Sequence, residues 1–168
     1  MAYRLLTSIF LTFLLIGCGE GNDSTESGTS PSEQVAAAEC SADASGELCV
    51  LVKVPDDGTS TPEKVSVHFF AALPPAGPPT LLGAEISDPE TLAQFVPGAT
   101  VPVLIAGLPE TGEMFLYGVI YMPGGGAETW RTEPGVDLHG AYSWDTPIQF
   151  SADPINLEDP ISFSVFSN

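Results

Sequence analysis

The chain has 168 residues and sets 4 Lys+Arg against 22 Asp+Glu, a formal net charge of -18. So acidic a chain is excluded from holding nucleic acid by its phosphates, which takes clustered Lys and Arg. Gly 17 and Pro 16 supply about a fifth of the residues and exclude long helices and coiled coils, while 43% hydrophobic residues suit the packed core of one small domain.

In chain order, the first element is an address. Arg4 is the only cation before the apolar run Leu5–Gly17. That run is too short for a membrane span, which takes about 20 apolar residues. A short basic start, a brief apolar region and small residues at its end are the build of a secretory signal. The run closes on Leu15-Ile16-Gly17-Cys18, which resembles the lipobox of bacterial lipoproteins. The resemblance implies a signal peptide over 1–17, diacylglyceryl transfer to the Cys18 thiol, cleavage before it and acylation of the new amine. It also implies a protein held in the cell envelope, by default at the outer membrane, with the bilayer as partner through the lipid on Cys18. A chain beginning there keeps only Lys53, Lys64 and Arg131 as cations. With no basic patch to meet anionic lipid, the acyl chains alone anchor it.

Gly19–Glu39 contains no aromatic residue and is dense in Gly, Ser, Thr, Asp and Glu. It cannot bury enough apolar surface to offset its ordering entropy, which predicts a flexible acidic tether over 18–39 with a reach of roughly 25 Å. Cys40 and Cys49 follow. An exported protein meets an oxidising compartment, so the pair is expected as a structural disulfide at the start of the domain. Its loop of about ten residues is worth roughly 2.5–3 kcal/mol in the chain-entropy model. A metal pair is the alternative, though two thiols alone do not complete a zinc site.

From Gly46 onward the pattern has period two. Val50, Val52 and Val54 alternate with Cys49, Leu51 and Lys53, then Val65, Val67 and Phe69 with Ser66, His68 and Phe70. Both stretches predict strands, and Leu81–Ile86 is a short third. Ser87-Asp88-Pro89-Glu90 predicts a helix start, with a cap at Ser87 or Asp88 and an end near Phe95. Val101, Val103 and Ile105 form a fourth strand, which Pro102 marks as an edge or a late start. Met114–Tyr121 is apolar on both faces and is placed centrally, and Ile148–Ala152 and Ile161–Phe166 complete seven strands. The fold class is therefore all-β, a Greek-key sandwich over 40–168 with one short helix. The step from Gly107 through Leu108-Pro109 to Leu116-Tyr117 resembles that of transthyretin-like (prealbumin-like) sandwiches. Met122-Pro123-Gly124-Gly125-Gly126 stands where many of those domains carry an acidic loop, so no metal site is carried over. Fibronectin-like and immunoglobulin-like sandwiches are alternatives.

The segment Pro123–Pro147 shows no clear strand patterning and is long for a connection in a small domain. It holds Trp130, Arg131, His139, Tyr142 and Trp144 with the acids Glu128, Glu133, Asp137 and Asp145. Three functions compete for it. Trp130, Tyr142 and Trp144 could stack on a glycan; the four acids are candidates for Ca²⁺, which takes six to eight oxygens; or the aromatics and Arg131 could anchor an envelope protein. The plainer reading has Trp130 and Trp144 capping the open end of the sandwich. The triple glycine lacks the Lys and helix start of a phosphate loop. His68 is expected to face solvent or a cross-strand neighbour, and no HxH, HExxH or GxSxG context accompanies either histidine. The expectation is a non-catalytic, cofactor-free envelope binding or structural module, with a carbohydrate-binding module as the alternative.

Overall fold

The computed structural model describes residues 40–57, 60–126, 130–165 and 167; Cys18, the 19–39 segment, Glu128 and Phe166 lie outside them. Apolar alternation builds the first sheet. One side of β1 (Leu48–Lys53) turns Leu48, Val50 and Val52 fully inside. It pairs antiparallel with β4 (Thr100–Ile105), from Leu48 opposite Ile105 to Lys53 opposite Thr100. Its other edge takes two short strands in parallel, β8 (Ile155–Asn156) and β9 (Ile161–Ser162). β4 ends the sheet, so the missing N–H of Pro102 leaves no ladder bond unmade.

The second sheet runs β10-β6-β5-β2-β3, and β7 also pairs with β5. Its strands are β2 (Lys64–Phe70), β3 (Leu81–Ile86), β5 (Gly112–Tyr121), β6 (Leu138–Ala141), β7 (Ile148–Phe150) and β10 (Ser164–Val165). As its two apolar faces require, β5 is central, with β2 on one side and β6 and β7 on the other. The helix α1 (Pro89–Leu92) joins β3 to β4; Asp88 caps it, its Oδ1 accepting from the Thr91 N–H at 2.8 Å. A turn continues past it, bringing Phe95 fully into the core.

The sheets face each other across a core that includes Val50, Val52, Val103 and Ile105 from the first and Val65, Val67, Phe69, Leu116 and Ile120 from the second. Phe69 meets Phe150 edge-on at 5.3 Å. The result is an all-β sandwich with one short helix. Cys40 and Cys49 are joined by a disulfide with Cα atoms 5.6 Å apart. Beside it, Asn156 holds the backbone of buried Ala42 from both sides, its Oδ1 accepting from Ala42 N–H at 2.6 Å and its Nδ2 donating to Ala42 C=O at 3.3 Å.

Besides β8, a two-residue strand with no counterpart in the sequence expectation, two parts of the chain differ from it. The single strand expected over Ile161–Phe166 is broken: β9 belongs to the first sheet, β10 to the second, and Phe163 buries its ring between them. The crossing is possible because Gly118 of β5 and Gly140 of β6 lie opposite one another on the inner face. A Cβ on Gly118 would stand 2.6 Å from the Phe163 ring, and one on Gly140 would strike the Ser162 carbonyl. Second, Pro123–Pro147 is not free of strand structure, because β6 runs through it. With glycine at an inward position, that strand shows only Leu138 as an inward apolar mark.

Candidate functional site

Alternation along β5 sends Leu116 and Ile120 inward and Tyr117, Val119 and Tyr121 to the outer face of the second sheet. There they form a separate apolar cluster with Phe70 of β2, against which Leu73, Trp130 and Ala141 pack. An outer face this apolar has to be covered, and two loops cover it. The 71–80 connection brings Pro74 and Pro75, and the 122–137 connection brings Trp130, Arg131 and Thr132.

The cover is incomplete. Between the loops lies a cleft of ≈ 260 Å³, with Tyr117, His139 of β6 and Trp144 of the β6–β7 connection lining it together with both loops. Tyr117 Oη and His139 Nδ1 share a hydrogen bond at 3.0 Å. Trp144 stands edge-on to both rings, with centroids 6.1 Å from Tyr117 and 5.9 Å from His139. It is 51% exposed, far more than a core tryptophan. The Arg131 guanidinium lies 4.9 Å from the Trp130 ring centroid, in cation–π range. Trp130 and Trp144 therefore sit on the outer face of a sheet and do not cap an end of the sandwich. Edge-to-face packing is the arrangement that ring quadrupoles favour.

Burial sets the protonation of the pair at the floor. It pushes the Tyr117 phenol up to about 12 and the His139 imidazole below its ordinary value. Both groups are thus neutral at pH 7. Tyr121, next but one outward on β5, is also pushed up to about 12, chiefly by burial.

Asp137, one of the four acids considered for calcium, has another task. Its carboxylate is fully buried and accepts from the backbone N–H of Met122 at 3.1 Å, Gly126 at 3.0 Å and Glu133 at 2.6 Å. This one side chain closes the loop that carries Trp130, Arg131 and Thr132. It also accounts for the middle residue of the glycine run, since a Cβ on Gly125 would overlap the carboxylate. Glu133 is exposed, and Asp145 is exposed and accepts from Ser143 Oγ at 3.1 Å. Among the described residues no three His, Cys, Asp or Glu side chains are grouped to hold a metal ion.

The structure thus brings Trp130, Arg131 and Trp144 into one cleft and sends Tyr142 elsewhere. Tyr142 packs against the main core, its phenol raised by burial and by Asp159 and Glu158. Tyr117, Thr132, Pro74 and Pro75 join the cleft without having been grouped with it in the sequence, and His139, noted in the same segment, was given no place in a ligand surface. Their one sequence signal is the outward set Tyr117, Val119 and Tyr121, too apolar for a solvated face. His68 does not face solvent. It is buried on β2, where its Nδ1 accepts from Gly83 N–H at 3.0 Å and its Nε2 lies 3.6 Å from Glu85 Oε1 across the pair with β3. Gly83 comes this close because it has no Cβ, which would collide with the Val67 carbonyl. Among the described residues no helix is long and apolar enough to cross a membrane. Comparison of the chain with protein-family models, curated proteins and solved structures found no match.

Proposed function

We propose that the chain is a bacterial lipoprotein whose β-sandwich is a non-catalytic binding module, displayed from the envelope on the acidic 18–39 tether. The observation that carries the binding role is the convergence of Trp130, Arg131 and Trp144 on Tyr117 and His139 in one solvent-open cleft. A purely structural sandwich has no need of a half-exposed tryptophan standing over a buried tyrosine and its half-buried histidine partner. The Gly107–Tyr117 step, with Leu108 buried ahead of the central strand β5, supports membership among transthyretin-like sandwiches. The lipobox Leu15-Ile16-Gly17-Cys18 supports the anchor.

Two experiments test this. The intact mass of membrane-extracted protein is expected to correspond to a chain beginning at Cys18 plus acyl groups, and Cys18→Ala is expected to remove both the acyl mass and the membrane association. A water-soluble product cut elsewhere sinks the anchor. For the cleft, tryptophan fluorescence is titrated with envelope glycans and peptides; a ligand response abolished by Trp144→Ala supports the module, and an unchanged response in that variant removes the cleft from it.

A second reading, in which the ligand is a glycan, is favoured by the floor of the cleft. That floor is the face of a sheet and not its edge. β5 is paired on both sides and β6 is flanked by β5 and β10, so the floor offers no free backbone edge for an extended peptide to join as an added strand. Side chains alone recognise the ligand there, and flat aromatic walls suit the face of a sugar ring.

A further inference from the structure

Resting on the glycan reading, we propose that the cleft takes a single sugar ring, the terminal unit of a glycan chain or branch, and is not a groove for a run of polysaccharide. A run of sugars presents flat faces one after another and lies best on aromatic rings that share a plane. No two of the rings of Tyr117, His139 and Trp144 do so. Trp144 is inclined at 75° to Tyr117 and at 71° to His139, and Tyr117 and His139 are themselves inclined at 59°. Trp144 therefore stands as a wall over the Tyr117–His139 floor and does not extend that floor as the next tile of a platform.

The walls come from three separate connections. Pro74 and Pro75 belong to the one between β2 and β3, Trp130 and Thr132 to the one between β5 and β6, and Trp144 to the one between β6 and β7. The paired strands β5 and β6 supply the floor between them. A sheet floor bordered in this way is a cup. Its ≈ 260 Å³ falls below the range of about 300–1,000 Å³ that holds a drug-sized ligand, which leaves room for one ring with its substituents. An internal sugar needs an exit on each side of its ring, whereas a terminal one needs a single mouth through which the rest of the chain leaves into water. Trp144, 51% exposed, stands at that mouth, and a sugar ring laid on it removes apolar area from solvent.

The test uses the full chain in a detergent without a sugar headgroup. The probes are the oligosaccharide series of cellulose, chitin and mannan, from disaccharide to hexasaccharide, with a long polymer of whichever sugar binds. Calorimetry gives affinity and stoichiometry. In the series that binds, affinity is expected to stay within about twofold at every length, whereas a groove gains roughly tenfold for each further ring it stacks. The polymer is expected to take up one domain per chain end, whatever its length. Trp144→Ala is expected to weaken every length by the same factor, about tenfold. Because Trp144 is half exposed, the variant keeps the wild-type melting temperature, which separates lost contact from lost fold. Affinity that climbs with length, several domains spread along each polymer chain, or unequal losses across lengths in Trp144→Ala overturns the single-ring assignment and leaves the glycan reading standing. If no series binds while a peptide perturbs tryptophan fluorescence, both the single-ring assignment and the glycan reading fall and the cleft reading survives. If neither a sugar nor a peptide responds, the cleft reading falls with them.

Discussion

Phe69 and Phe70 are neighbours in the chain and are both buried, yet they belong to two regions built on different terms. Phe69 lies between the sheets, among Val, Leu, Ile and Phe side chains held by strand ladders on both sides. Phe70 lies on the outer face of the second sheet, edge-on to Tyr117 at 5.7 Å, under loops and beside an open cleft. The buried residues of the inner region are all apolar. The outer one is half loop, carries hydroxyl and imidazole groups, and leaves a large aromatic ring in water. Burial alone therefore does not distinguish a core from a site; what covers the residue does.

The comparison is broken most easily at these two positions. Phe69→Ala is expected to cost about 3–5 kcal/mol, the range for deleting a buried aromatic whose surroundings cannot close up. Phe70→Ala should cost less, about 1–3 kcal/mol, because loops can settle into the space where strands cannot. Urea titrations of both variants check this, and equal losses would make the outer layer a second core. Next in size, Asp137→Ala leaves three backbone N–H groups without their acceptor and is expected to cost about 2–4 kcal/mol. Hydrogen exchange should locate the loosening at Gly126 and Glu133 while the amides of β1 and β2 stay protected; uniform loosening would show that the loop is not a separate unit. Replacing both Cys40 and Cys49 by Ser should cost roughly 2.5–3 kcal/mol, without moving the fluorescence of Trp144 on the opposite sheet.

The smallest effect is the pH response of the Tyr117–His139 pair. Burial holds the imidazole below its ordinary pKa, so the fold favours the neutral form. The stability this gives is complete above the unfolded pKa of about 6.5 and is lost as pH falls from there through the folded value. Tyr117 runs the other way: with its phenol at about 12, its stability is complete below the unfolded value of about 10 and is lost as pH rises from there to about 12. Melting temperatures across both windows test the signs. His139→Gln should remove the acid-side contribution and Tyr117→Phe part of the alkaline one. If His139→Gln leaves the acid-side slope unchanged, carboxylates alone account for it.

Much of the sandwich was legible because its strands bury one or both faces in a regular rhythm. Val50, Val52 and Val54 announce β1, and Pro102 announces an edge. The rhythm fails where structure is made by removing side chains. Gly118 and Gly140 are inward positions that hold space for Phe163 and the crossing chain, so β6 shows one inward apolar residue and the C-terminal strand reads as continuous when it changes sheets. The cleft was half legible for a similar reason. Trp130, Arg131 and Trp144 stand out as residue types, but the Tyr117–His139 floor depends on a pairing across strands, Tyr117 opposite Ala141 and Val119 opposite His139. Asp137 looked like a ligand for a cation, and only the register of the loop around it reveals three N–H groups as its partners.

The Cys40–Cys49 link also makes the domain a mechanical object. A pull applied through the chain that precedes Cys40 passes along the sulfur bridge directly to β1, short-circuiting residues 41–48. The Ala42–Asn156 clamp stays slack, and the force reaches a strand laddered to β4 over its whole length. Reduction reroutes the same pull through those eight residues, whose extension adds at most about 3.3–3.6 Å each and puts the clamp in series with β1. An oxidised domain thus takes load as a stiff end-fitting, and a reduced one gains a short extensible coupling.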